Sequence, residues 1–248
     1  MIAADAPLQI FDDIDSTNAE ARRRAERGDA GPIYLLARAQ SAGRGRRGRV
    51  WQSLDGNLFL TYLGATRRPP ADIALLGFAA GLALAEFCED LLGPNIVALK
   101  WPNDLMLQGR KAAGLLLESG VLGDGRNWFA IGLGLNLATA PKTDQPTIAL
   151  ADFLPAAPAP EIAARDLAPR LSAWASILEN EGFSSLHRAW MDRAYGLGAP
   201  AKANLGAQTL NGVMRGLSPK GELILELGNG EMRTIAAGDI HFPTPETA

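Results

Sequence analysis

The chain has 248 residues, 47% hydrophobic and 21% charged, with a formal net charge of −3. That length suits one substantial core plus a small appendage, and the composition is globular rather than fibrous or disordered. A duplex-DNA binder that contacts many phosphates shows a broad basic face; here the basic excess sits in one loop on a mildly acidic body, so local anion binding is the better inference. Cys88 is the only cysteine and the two histidines, His187 and His241, stand far apart. This excludes an intrachain disulfide, gives no recognisable zinc set and fits a reducing cytoplasm.

The N-terminus, MIAADAPLQIFDDIDS, lacks a basic leader and does not read as a signal peptide. Leu8 to Ile14 predicts a strand, followed by Asp15-Ser16-Thr17-Asn18 and a helix in NAEARRRAERG, with Ser16 or Asp15 as N-cap and Gly28 as stop. Pro32 to Arg38 reads as a buried strand, and Asn57 to Leu63 as another. Ala71 to Leu92 reads as a central apolar helix. Its most apolar run, Ile73 to Ala85, falls short of the roughly 20 residues of a membrane span. The Gly77 to Gly81 spacing reads as close helix packing.

Ile96 to Lys100 predicts a strand that breaks at Trp101-Pro102-Asn103-Asp104. Leu105 to Leu107 and Ala113 to Glu118 then pair around Gln108-Gly109-Arg110, and Asp124-Gly125 turns the chain into Trp128 to Leu137. After a Pro/Ala-rich stretch, Glu161 to Glu181 and Ser184 to Ala194 read as helices. Gly196 to Pro200 reads as a boundary, giving domains 1–197 and 198–248. Beyond it come short alternating strands with Asn211-Gly212 and a turn at Asn229-Gly230, a small all-β module of barrel type. Strands cluster without strict βα alternation, which predicts an α+β fold with a mixed or antiparallel sheet.

The motif GRGRRG at residues 43–48 matches the glycine fingerprint of a dinucleotide-binding turn. That turn needs a helix after its glycines. The next residues, Arg49-Val-Trp-Gln-Ser-Leu-Asp-Gly-Asn, have no helical period, so the match is rejected. Arg44, Arg46, Arg47 and Arg49 repel one another, and such a loop gains order when a polyanion arrives, because guanidinium forks suit phosphate and carboxylate oxygens. By itself the loop fits a phosphate-binding loop and an RNA-binding Arg/Gly segment equally well. Further candidates are Lys100 for a phosphate and Asp104 for Mg²⁺ in KWPND. Lys111, opening the apolar KAAGLLLES, either snorkels or aims into a site. Asn136, ending GLGLN, either reads an adenine edge or caps a turn.

Together these segments resemble the biotin protein ligases, in the family's order and spacing over residues 8 to 140. The carrying residues are Asp15-Ser16-Thr17-Asn18, Gln40 through Arg49, Trp51, KWPND, Arg110-Lys111-Ala-Ala-Gly114 and GLGLN. The C-terminal module is more loosely similar to the family's SH3-like domain. The resemblance implies a catalytic domain like class II aminoacyl-tRNA synthetases, making biotinyl-5′-AMP from biotin and ATP with Mg²⁺, and no tightly bound cofactor. It implies that biotin passes to a lysine of a biotin carboxyl carrier domain of acetyl-CoA carboxylase or a related carboxylase, in the cytoplasm.

The implied biotin contacts are Ser16, Thr17, Asn18, Gln40, Gly43, Arg44 and Gly114, with Lys111 bridging the biotin carboxylate and the α-phosphate. The implied nucleotide contacts are Arg46, Arg47, Arg49, Trp51 beside the adenine, Lys100, Asn103 and Asn136, with Asp104 on the metal. Lys111, Arg46 and Lys100 are the implied catalytic set. The chemistry asks for such a set independently: a carboxylate must approach a polyanion, and like charges about 4 Å apart repel by roughly 1 kcal/mol in water and more in a dry site. Cations placed on the developing charge remove that obstacle without a protein nucleophile, and the arginine loop would act as a water-excluding lid.

Some family members carry an N-terminal helix-turn-helix domain. Here the first strand already opens at Leu8, which predicts no binding to operator DNA. No membrane partner is expected, and an exposed sheet edge would serve a homodimer or the acceptor domain. The alternatives are a lipoate-protein ligase, opposed by the arginine loop and KWPND, and an RNA-binding protein. The latter predicts a basic terminal module, yet residues 201–248 hold only Lys202, Arg215, Lys220 and Arg233.

Overall fold

In the computed structural model, which describes residues 2–243, the chain builds two sheets that share one apolar core. The first seven strands are β1 (Leu8–Ile14), β2 (Ile33–Gln40), β3 (Leu58–Thr66), β4 (Val97–Lys100), β5 (Asp104–Leu107), β6 (Arg110–Val121) and β7 (Asn127–Leu135). They lie in the order β1-β2-β3-β7-β6-β5-β4. Only β1 and β2 run parallel, joined by the helix α1 (Thr17–Glu26); all other pairs are antiparallel. The sheet is therefore mixed, as the clustering of strands predicts.

Alternation along the strands sorts the two faces. Leu60, Leu115 and Leu133 pair across β3, β7 and β6 and join the core under α2 (Pro70–Leu92) and α3 (Pro160–Glu181). Fully buried Leu82 and Leu84 of α2 each contribute roughly 1.5–3 kcal/mol by leaving water. By length and composition α2 is also apolar enough to cross a membrane, but here it is a core helix with Ala79 to Ala85 buried. A Cβ at Gly81 would meet Leu99 and Leu115 at ordinary contact distance (3.6 and 3.7 Å) and one at Gly77 nothing within 4 Å, so neither glycine is required by close helix packing. Burial pushes the Cys88 thiol on this helix up to about 12, an inert core position.

The opposite face of the sheet is divided. Ala21 and Ala25 of α1 cover Leu35, Leu63, Trp128 and Ala130 at one end. At the other end the sheet presents Phe59, Thr61, Gly114, Leu116, Gly132 and Gly134, and a cleft opens there.

Several boundaries differ from expectation for local reasons. β6 begins at Arg110, because the reversal is completed by Gln108 and Gly109, both with left-handed φ (47° and 74°). Gly182, at φ 78°, separates α3 from α4 (Phe183–Met191).

The remaining strands, β8 (Pro200–Asn204), β9 (Thr209–Leu217), β10 (Leu223–Leu227), β11 (Met232–Ile235) and β12 (Asp239–His241), form an antiparallel sheet ordered β11-β10-β9-β8-β12. Asn229-Gly230 makes the β10–β11 turn, but Asn211 and Gly212 lie inside β9. A Cβ at Gly212 would stand 2.3 Å from Glu226 O, so this glycine serves close strand approach rather than reversal. The buried Trp101 indole donates to Gly221 O (3.1 Å), and Tyr195 stacks edge-on against Phe242. These contacts fasten the second sheet beside the KWPND turn.

Candidate active site

The floor of the cleft is rich in glycine. Gly114 pairs with Gly134, and Leu116 with Gly132, across β6 and β7. A Cβ at Gly134 would come within 2.5 Å of the Trp51 indole, and one at Gly114 within 2.8 Å. A Cβ at Gly132 would stand 2.0 Å from Asn18 Oδ1. These three glycines are thus required by what lies over them, and a cleft opens beside them.

One end of the cleft is a polar network built by the β1–α1 junction. Asp15 accepts a bidentate pair from Arg23 (2.7 and 2.8 Å) and the Ser16 N–H (2.8 Å). The hydrogen bond from Arg23 holds the Asp15 carboxyl below the usual range. This pins the turn that brings Ser16, the N-cap of α1, and Thr17 to the cleft. Gln40, at the end of β2, accepts from the Thr17 N–H (2.9 Å) and hydroxyl (3.2 Å), and its amide nitrogen donates to Ser53 Oγ (3.0 Å). Thr61 Oγ1 lies 2.8 Å from both Thr17 Oγ1 and Asn18 Oδ1. Asn18 donates to Leu116 O and to Glu118 Oε2 (2.9 Å).

The arginine loop closes over this end. No helix comes after its glycines: Arg46–Gly48 is a single 3₁₀ turn with Arg47 left-handed (φ 54°), after which the chain runs to β3. Trp51 N donates to Gly43 O (2.9 Å) and Gly45 N to Arg49 O (2.8 Å), so the loop folds back on itself. Gly43 is required there, since a Cβ would lie 2.4 Å from Trp51 O. The loop was expected to gain order only with a polyanion; here carboxylates of the chain itself stand in. Arg44 pairs with Glu118 (3.2 Å), while Arg47 (3.2 Å) and Arg49 (2.9 Å) converge on Asp239, with Arg46 3.9 Å from it. Arg46 also donates to Asn103 Oδ1 (3.0 Å), and burial lowers its pKa.

The opposite side of the cleft is the KWPND hairpin. Lys100 and Asp104 are cross-strand partners on β4 and β5, and Asn103 is tied to Leu115 through both its backbone and its amide. Lys111, on β6, reaches Asp104 Oδ1 at 2.7 Å in ion-pair rather than hydrogen-bond alignment, and its ammonium lies 5.7 Å from the Trp51 ring centroid. The cleft thus carries a cation cluster: Lys111 below, Arg44, Arg46 and Arg49 above, and an indole between.

Sequence models for the Biotin/lipoate A/B protein ligase family match residues 11–136, and those for the Biotin protein ligase C terminal domain match residues 196–242. Over 92% of its length the chain is 38% identical to a biotin–[acetyl-CoA-carboxylase] ligase of Paracoccus denitrificans, covering 97% of that protein. The chain belongs to the biotin protein ligase family. It is also 34% identical to the bifunctional ligase/repressor BirA of Escherichia coli, over 94% of this chain and 73% of that protein. In fold it matches the biotin protein ligase from Aquifex aeolicus in complex with biotin and ATP, with TM-score 0.80 and 23% identity, over 96% of this chain and 99% of that one.

In this biotin protein ligase the expected residues do not all face the cleft. Ser16, Thr17, Asn18, Gln40, Arg44 and Gly114 line one part, and Arg46, Arg49, Trp51, Asn103 and Lys111 the other. Gly43, Arg47, Lys100, Asp104 and Asn136 are not part of that lining. Asn136 is buried, its amide nitrogen donating to Ile148 O (3.1 Å) and its Oδ1 unpartnered. Trp51 was expected beside an adenine; it lies on Gly114 and Gly134 and next to Lys111. Ser53, Thr61, Glu118 and Asp239 were not anticipated.

Asp104 is the one carboxylate of the KWPND hairpin that could serve Mg²⁺. No group of three or more metal-ligating side chains occurs among the described residues, and Asp104 is engaged with Lys111. A single carboxylate fits a Mg²⁺ that takes its remaining ligands from phosphate and water.

Lys100 is 9% exposed, and burial lowers its pKa although Asp104 and Asp239 favour its charge. Such a lysine is harder to protonate folded than unfolded, so stability contributed at this position falls as pH drops through the ordinary lysine range and is lowest at neutral pH. Lys100→Met is therefore expected to raise Tm at pH 7 while lowering activity. Thermal unfolding at pH 7 and pH 10 checks it: the gain should shrink at the higher pH.

Proposed function

We propose that the chain activates biotin with ATP and transfers it to a lysine on the biotin carboxyl carrier domain of acetyl-CoA carboxylase or a related carboxylase, in the cytoplasm. One observation carries the reading: cations converge on a glycine-floored cleft that also presents the uncharged hydrogen-bonding groups of Ser16, Thr17 and Gln40. A ureido ring suits the Ser16–Thr17–Gln40 end, and the carboxylate and α-phosphate suit Lys111, Arg46 and Arg49. The full-length likeness to a biotin–[acetyl-CoA-carboxylase] ligase supports biotin over lipoate.

In the first step a biotin carboxylate oxygen bonds to the α-phosphorus as the bond to the bridging oxygen breaks and diphosphate leaves. Lys111 neutralises charge on both reacting groups, and the arginines take the leaving phosphates. Mg²⁺, entering with ATP near Asp104, would shield the diphosphate. In the second step the acceptor lysine nitrogen attacks the acyl carbon of the mixed anhydride, AMP leaves, and the lysine proton passes to solvent. Trp51 and the arginine loop exclude water from the anhydride between the steps. Residues 1–197 would do this chemistry, with 198–248 as the C-terminal module.

The test is a transfer assay on a purified carrier domain, read by intact mass. Biotin and ATP should add one biotinyl group, and none should appear when the acceptor lysine is replaced by arginine. Unmodified wild-type carrier, or equal transfer of lipoate or octanoate, would refute the proposal.

A further inference from the structure

The arginine loop is gathered by a residue outside the catalytic sheet. Asp239 opens β12, and its carboxylate receives Arg47 Nη1 at 3.2 Å and Arg49 Nη2 at 2.9 Å, with Arg46 Nη1 3.9 Å away. Its side chain is 21% exposed. Asp239 also attracts the buried Lys100. The position is rigid for reasons independent of the loop: β12 pairs with β8, and its module is fastened through Trp101 to Gly221 and Tyr195 to Phe242.

We propose that Asp239 is a positioning residue of the adenylation site, a fixed counter-ion that assembles the arginine loop over the cleft before nucleotide binds. This rests on the ATP-dependent function proposed for the cleft. Arg46, Arg47 and Arg49 repel one another, and an unassisted loop spends much of its time open. Nucleotide affinity is then reduced by the fraction of chains in the closed state. A carboxylate in their midst offsets the repulsion.

Two opposite effects are conceivable, because Asp239 also competes with phosphate for the same arginines. Geometry decides between them. Arg46 and Arg49 line the cleft in the same pose in which Asp239 holds or faces them. Each guanidinium has five N–H donors, and only part of that capacity is used here. Phosphate can therefore add to the cluster without first dismantling it, and pre-organisation outweighs competition.

The experiment compares wild type with Asp239→Asn, Asp239→Ser and Asp239→Glu in the full chain. Limited trypsin digestion without ligand should cut Arg46 to Arg49 faster in Asn and Ser, with Tm close to wild type. In biotin-dependent pyrophosphate exchange, KM for ATP should rise roughly two- to fivefold, the scale of a partly exposed ion pair, while KM for biotin stays within about 1.5-fold. Glu should recover most of both properties. Unchanged cleavage with unchanged KM for ATP, or a lowered KM for ATP, would overturn the proposal. If wild type shows no exchange at all, the functional reading fails, and the digestion alone still decides whether Asp239 holds the loop.

Discussion

Lys111→Met should reduce kcat/KM for biotinyl-AMP formation by roughly 10²–10³, about 3–4 kcal/mol of transition-state stabilisation. Lys111 is the cation at the base of the cleft, within reach of both the indole and the acidic hairpin. Methionine keeps most of the apolar stem, so the strand and the packing beside Trp51 survive. What disappears is the charge that lets a carboxylate approach the α-phosphate. A second effect accompanies it. Asp104, only 13% exposed, loses its partner, and a carboxylate left half-buried costs about 1–3 kcal/mol of stability. The double variant Lys111→Met with Asp104→Asn should regain that stability and none of the activity. Pyrophosphate exchange and thermal unfolding on the three proteins separate the two effects; recovery of activity in the double variant would contradict the role assigned to Lys111.

Gly134→Ala should weaken biotin binding by about 10- to 100-fold, as expected when a wall of a site moves by an ångström or so. The added methyl would stand 2.5–2.8 Å from three atoms of the Trp51 indole. Something must shift, and β7 is locked between β3 and β6, whereas Trp51 ends a loop. The indole therefore yields, and with it the cover over the cleft. Isothermal titration with biotin and the tryptophan emission spectrum report on it together. Trp51→Ala combined with Gly134→Ala should be no worse than Trp51→Ala alone, because the methyl then meets nothing. Normal biotin affinity with an unshifted spectrum would show that the indole does not form the wall.

Legibility of the site in the sequence tracked chain proximity. The arginine loop, KWPND, Lys111 with Gly114, and GLGLN are short stretches in which unusual residue types sit close together, and each is found near the cleft. The dinucleotide reading of GRGRRG failed for want of a helix after its glycines. In the structure Gly43 is there to let the loop return on Trp51, not to receive a pyrophosphate on a helix. Ser53, Thr61 and Glu118 were invisible because an isolated serine, threonine or glutamate carries no local signal. They matter through what the sheet places beside them: Gln40, Thr17 and Arg44. Asp239 is the extreme case, 190 positions from Arg49. Its role arises only when the terminal sheet packs against the KWPND turn. The fold class came from strand clustering, whereas the interior placement of Asn211-Gly212 depended on how closely β10 approaches.

The most direct test of the central claim, that this cleft joins a biotin carboxylate to the α-phosphate of ATP, is exchange of labelled pyrophosphate into ATP by the purified protein. Exchange that requires biotin, and is absent with lipoate or octanoate in its place, is the predicted result. Absence of exchange with biotin, ATP and Mg²⁺ present would contradict the account.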